Sequence, residues 1–114
     1  MNHVVLIGRL VGDPEVVESE NDTSRLAITL AVARNYKNTN GVYETDFIRC
    51  VLWNGIAKNV TEYCKKGDMI CVRGRLQVRN YEVDGIKKYT TEVIIDTVSF
   101  LQKKHEDISC QSES

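Results

Sequence analysis

Phe47, Arg49, Val51 and Trp53 occupy every second position of one short stretch, and Arg73, Arg75, Gln77, Arg79 and Tyr81 do so in another. Arg34, Tyr36 and Lys37 bring rings and cations together a third time. Flat rings interleaved with guanidinium groups suit one task well: the rings stack on unpaired bases while the cations follow the phosphates of a nucleic-acid strand. An exposed arginine, or a ring covering the edge of a core, explains any one of these residues. It does not explain Phe47 and Trp53 together, because leaving each off the core forgoes about 1.5–3 kcal/mol of burial. Something else must cover them, either a single strand or a second subunit.

Catalytic constellations are poorer. A metal-dependent nuclease needs clustered carboxylates, or a histidine placed as general base. Asp46, Glu92 and Asp96 are scattered over different stretches, and His3 and His105 lie at the two ends of the chain. The cysteines at 50, 64, 71 and 110 form no CxxC pair. Zinc ligands come in close pairs, so neither a metal nor a cofactor is expected, and Cys50 and Cys71 read as small buried hydrophobes.

Strands must position these residues. His3 to Val11 is apolar at nearly every position until Asp13-Pro14 breaks it, and an acidic connector then runs to Thr23. In Arg25–Tyr36, Leu26, Ile28, Leu30 and Val32 share one parity, the period-two mark of a strand with a packed face. Lys37 to Val42 (KNTNGV) predicts a turn into the strand Tyr43–Trp53, with Ile48, Cys50 and Leu52 inward. Ile56, Ala57, Val60 and Cys64 change the period to that of a helix over Asn54–Cys64, with Asn54 as N-cap and Gly67 at C′. Asp68–Tyr81 returns to strand, with Ile70, Val72, Gly74, Leu76 and Val78 inward. A loop over Glu82–Lys88 and a last strand over Tyr89–Leu101 follow. Three strands, a helix, then two strands predict an all-β, five-stranded barrel of the OB type, with an open α+β layer as the alternative. The folded domain is expected over residues 1–102, with a short disordered tail over 103–114.

The first strand is apolar on both faces, with Val4, Leu6 and Leu10 on one and Val5, Ile7 and Val11 on the other. A barrel strand has only one face toward the core, so the other is expected to meet a second copy of the chain. Length and charge add bounds. With 114 residues the chain makes one domain, and a net charge of −1 is weak evidence against a nucleic-acid partner. The distribution outweighs the sum. Cys71–Tyr89 carries five bases against two acids, while Asp13–Asp22 carries five acids and no base. No apolar run is long enough for a membrane span, and the start lacks the basic leader of a signal peptide. A cytoplasmic protein is therefore expected.

Four segments, MNHVVLIGRLVGDPE, TDFIRCVLWNGIAKNVTEYCKKGD, VRGRLQVRNYEVDG and KKYTTEVIIDTVSFL, occur in order from Met1 to about Leu101. Together they resemble bacterial-type single-stranded DNA-binding proteins. The resemblance implies an OB-fold subunit that forms a homotetramer and wraps single-stranded DNA without sequence preference, associated with the nucleoid. It implies stacking by Tyr36, Phe47, Trp53 and Tyr81, and phosphate contacts by Arg34, Lys37, Arg49, Arg73, Arg79, Lys87 and Lys88. It also implies a subunit interface built with the first strand, at His3, Val4, Val5, Leu6 and Ile7. The task implied is protection of exposed strands in replication, recombination, repair or uptake of DNA. A protein-interaction or RNA-binding OB module of a replication-restart complex is the alternative. Many family members end in a long linker and an acidic tip with a terminal phenylalanine, which this sequence lacks. Recruitment of replication and repair proteins through such a tip is therefore not expected.

Overall fold

The computed structural model describes residues 1–20 and 23–103. Its elements are β1 (Val4–Leu10), β2 (Glu15–Glu20), β3 (Thr23–Lys37), β4 (Tyr43–Trp53), α1 (Asn54–Tyr63), β5 (Met69–Val83) and β6 (Ile86–Gln102). Hydrogen bonding runs β1-β5-β6-β4-β3-β2, and β1 also pairs with β3 through Arg9↔Ala31 and Leu10↔Leu30. That second pairing closes β1, β3, β4, β5 and β6 into a five-stranded barrel, with α1 between its third and fourth strands. This is the OB-fold. The sixth strand, β2, pairs with β3 from outside the ring. It takes the place of the acidic connector expected there, while residues 21 and 22 lie outside the described residues, as does the tail from 104 onward.

The expected parities explain the core. Leu26, Ile28 and Leu30 of β3, Cys50 and Leu52 of β4, and Ile70 and Val72 of β5 are all buried together. Val93 and Ile95 of β6 join them, and Ala57 and Val60 of α1 cap one end. Closure needs a close approach at Gly74, beside an irregularity in the β5–β6 ladder. A Cβ there would meet the Ile94 carbonyl oxygen at 1.9 Å. Cys71, expected to be buried, is only half-buried.

Beyond Gly74 the inward parity of β5 no longer has a core to face, so Leu76 and Val78 are exposed. There β5 and β6 leave the barrel as a paired arm, which continues to Val83↔Ile86 around a two-residue turn. Asp84 and Gly85 both take positive φ (53° and 78°), the backbone of a tight hairpin turn. The segment Glu82–Lys88 is thus mostly ladder rather than loop.

The start of α1 also differs from expectation. Trp53, in extended conformation, is the N-cap and makes no side-chain cap hydrogen bond. Asn54 takes a positive φ of 50°, and its Oδ1 accepts from the Ser24 backbone N–H at 3.2 Å, which ties the helix entry to β3. The helix ends at Cys64, so Gly67 lies beyond C′, in the turn Lys65–Asp68. That turn is bonded to the end of β1: Gly67 N–H donates to the Leu10 carbonyl at 2.8 Å, and Leu10 N–H to the Asp68 carbonyl at 3.0 Å. Asp13 accepts from the Lys66 N–H at 2.8 Å. No helix among the described residues is long and apolar enough to cross a membrane.

Candidate nucleic-acid interface

Register decides which outward residues share a surface. Across β3 and β4 the pairs are Arg25↔Trp53, Ala27↔Val51, Thr29↔Arg49 and Ala31↔Phe47. The β3 partners of Val51, Arg49 and Phe47 are small, so nothing on that strand covers the β4 side chains. β6 joins β4 through Val51↔Ile94, and Ile94 also pairs with Arg75 of β5. One outer face therefore runs from β3 through β4 and β6 to β5, and onto the arm through Gln77↔Glu92, Arg79↔Thr90 and Tyr81↔Lys88.

At its centre is a recess of about 470 Å³ bordered by Trp53, Arg25, Arg75, Arg79, Gln77 and Glu92, with Val51 and Ile94 beneath. Val51, read from sequence as outward, is buried here, flanked by Ile94 of β6 in the parallel β4–β6 pairing and by the long side chains around the recess. The Arg25 guanidinium lies over the Trp53 ring, 5.8 Å from its centre. Arg49 Nε donates to Glu92 Oε2 at 3.1 Å, and Arg25 Nη2 lies 3.8 Å from the same oxygen. Arg75 Nη1 donates to Gln77 Oε1 at 2.8 Å.

The four rings are solvent-exposed: Tyr36 at 60%, Phe47 at 68%, Trp53 at 40% and Tyr81 at 41%. Phe47, Trp53 and Tyr81 belong to the face just described. Tyr36 stands apart. It lies within the irregular stretch between Ala33 and Lys37, on the parity that lower in β3 enters the core.

The expected cations divide more sharply. Arg49, Arg79 and Lys88 lie on the face. Lys87 pairs with Glu82 on the opposite side of the arm, beside Asn80 and Tyr89. Arg73 sits opposite Val5 on the β1 side of β5 and lies 4.0 Å from Asp96. Lys37 is over the Tyr43 ring, 5.6 Å from its centre. Arg34 is clasped by two acids: Asp46 accepts from its Nε and Nη2 at 3.1 and 2.9 Å, and Glu44 accepts from Nη1. The hydrogen bond to Asp46 raises the Arg34 pKa further, and the same contact pulls the Asp46 carboxyl below its ordinary range.

Of the residues expected at a subunit interface, Val4 and Leu6 pack against the core, while His3 is exposed ahead of β1. Val5 (59% exposed) and Ile7 (53%) point outward. Among the described residues no group of three or more His, Cys, Asp and Glu stands together as a metal cluster.

The sequence profile of the Single-strand binding protein family matches residues 1–101, the whole barrel with both faces just described. The chain belongs to this family. A Single-stranded DNA-binding protein of Bacillus cereus is 46% identical over 106 residues, covering 92% of this chain and 62% of the relative. Single-stranded DNA-binding protein B of Bacillus subtilis is 42% identical over 104 residues, covering 90% and 92%. Single-stranded DNA-binding protein 1 of Clostridium acetobutylicum is 46% identical over 110 residues, covering 95% and 100%. Against the Bacillus cereus relative the chain thus spans less than two thirds of the length.

Sequence reading had not singled out Arg25, Ile94 or Glu92 as parts of this surface. Arg25 had a signal, since it shares the outward parity of β3. Glu92 and Ile94 had none, because only the parallel pairing of β6 beside β4 brings them to the Trp53 recess.

Proposed function

We propose that the chain binds single-stranded DNA without sequence preference and is a binding protein rather than an enzyme. The observation that carries this reading is the outer face of β4, where Phe47 and Trp53 stand uncovered beside arginines on a barrel of this family. Bases stack on Phe47, Trp53 and Tyr81, with Tyr36 extending the path at the end of β3. Arg49, Arg79 and Lys88 take phosphates. The subunits assemble as a homotetramer, with Val5 and Ile7 of β1 in one interface, so that one strand passes over several faces. In the cell the protein coats exposed strands at the nucleoid during replication, recombination, repair or DNA uptake.

Stacking and phosphate neutralisation leave separate signatures. Trp53 is the only tryptophan, so oligothymidine is expected to quench the intrinsic fluorescence. Affinity is expected to fall log-linearly with salt, by a slope of about 0.7 for each phosphate neutralised on a single strand. Preference for oligouridine over oligothymidine would point to the RNA-binding module instead. Absence of binding to either would remove the nucleic-acid reading.

A further inference from the structure

The outer face carries one buried acid where a surface for a polyanion has an evident reason to carry none. Glu92 of β6 is 3% exposed. Its Oε2 accepts from Arg49 Nε at 3.1 Å and lies 3.8 Å from Arg25 Nη2. A carboxylate at this depth loses hydration and repels phosphate unless cations compensate it. Two arginines do, and the trio keeps one net positive charge.

What the acid supplies is geometry. The Arg25 side chain is 12% exposed, stands directly opposite Trp53 in the β3–β4 register, and lies over its ring. A guanidinium shared between a carboxylate and a ring is anchored at both ends, and its attraction to the ring strengthens as water is excluded. Arg49 is held by Glu92 through Nε, which leaves its two Nη groups for a ligand. The carboxylate, on β6, thus sets the place of the one tryptophan and of Arg49, both on β4.

We propose that Glu92 is a positioning residue of the nucleic-acid face: it holds Arg25 against Trp53 and fixes Arg49, and gives up one unit of positive charge to do so. This rests on the reading of the face as a site for single-stranded DNA.

The test compares wild type with Glu92→Gln, which removes the charge, and Glu92→Asp, which keeps it but draws the carboxylate back by one methylene. Time-resolved anisotropy of Trp53 in the free protein is expected to show a looser ring in both variants. With oligothymidine, Glu92→Gln is expected to steepen the salt dependence by about 0.7, one further phosphate neutralised. It then binds at least as tightly as wild type near about 50 mM salt and more weakly near about 500 mM, so that the two lines cross. Glu92→Asp is expected to keep the wild-type slope and bind several-fold more weakly throughout.

Folded variants with unchanged anisotropy and lines parallel to and level with wild type would overturn the proposal. So would Glu92→Gln binding more tightly at every salt concentration, because the acid would then be a penalty without a positional return. If Glu92→Gln fails to fold, Glu92→Asp decides alone through ring motion and affinity. Failure of wild type to bind oligothymidine would sink the DNA-binding reading, while ring motion in the free variants would still decide whether Glu92 positions Trp53.

Discussion

Along β1 the outward residues are Val5 and Ile7; along β4 they are Phe47, Arg49 and Trp53. Both faces belong to one barrel and both are uncovered in the single chain, yet their chemistry differs. β-branched aliphatic side chains carry no charge and make no directional contact, so they suit another aliphatic protein surface. Flat rings beside guanidinium groups suit a ligand that alternates flat bases with charges. Uncovered apolar area alone therefore does not name its partner; the spacing of charge within it does.

The largest expected effect comes from removing the rings. Phe47→Ala combined with Trp53→Ala is expected to weaken oligothymidine binding by about 5- to 150-fold per ring, the effect of about 1–3 kcal/mol for each stacked base. Sedimentation of the double variant should give the wild-type mass. A variant that instead dissociates would make the β4 face a protein interface and erase the contrast with β1.

The opposite change is Ile7→Asp. An unpaired carboxylate pressed into an aliphatic contact costs several kcal/mol and enters once from each subunit. The mass is expected to fall to that of smaller species while far-UV circular dichroism keeps the barrel signature. Each released subunit should still bind a short oligothymidine. Unchanged mass would mean that Val5 and Ile7 are covered by nothing from a second copy.

Cys71 gives a finer probe, because it lies opposite Ile7 in the β1–β5 register. With Cys110, outside the described residues, replaced by serine, Cys71 is expected to react slowly with a thiol reagent in the assembled protein. In Ile7→Asp it should react faster. Cys50 and Cys64 serve as internal controls. Burial pushes their thiols up to about 12 and about 11. Only the thiolate reacts, so at about pH 8 roughly one Cys50 in ten thousand and one Cys64 in a thousand is competent. Raising the pH increases both fractions. Equal Cys71 rates in the two proteins would show that the β1 face is open in both.

The contrast between the faces was largely legible in the sequence, because period-two alternation separates inward from outward residues wherever a strand has one core-facing side. It fails where that condition fails. Leu76 and Val78 continue the inward parity of Ile70 and Val72 but lie past Gly74, where the barrel wall has ended. Val51 has outward parity and is buried among Ile94, its β6 partner, and the long side chains of the recess. Glu15–Glu20 pairs with β3 through backbone register that its sequence, EVVESE, does not announce by alternation. Glu92 looked like one of several scattered acids, and only a parallel contact between β4 and β6 carries it to the arginines. Local periodicity reports the environment of a strand, whereas which strands become neighbours is set by closure of the whole sheet.

The smallest effect concerns a cation that alternation places well and ion pairing withdraws. Arg34 stands near Tyr36 at the end of β3, but Asp46 and Glu44 already hold its guanidinium. Bound phosphate would have to displace those carboxylates, so Arg34 adds little to the salt slope in wild type. Asp46→Asn frees it in part, since Glu44 remains, and is expected to steepen the slope by less than about 0.7. Acid acts in the same sense but late. The folded-state Asp46 pKa is depressed by Arg34, so the clasp is complete above the ordinary carboxylate pKa of about 4 and opens only as pH falls through the lower, folded value. Oligothymidine affinity between about pH 5 and 8 should therefore show no step from this pair. Weaker rather than slightly tighter binding by Asp46→Asn would mean that the clasp acts by holding the β3–β4 turn in place, and Arg34 would then belong with the framework of the face and not with its charge.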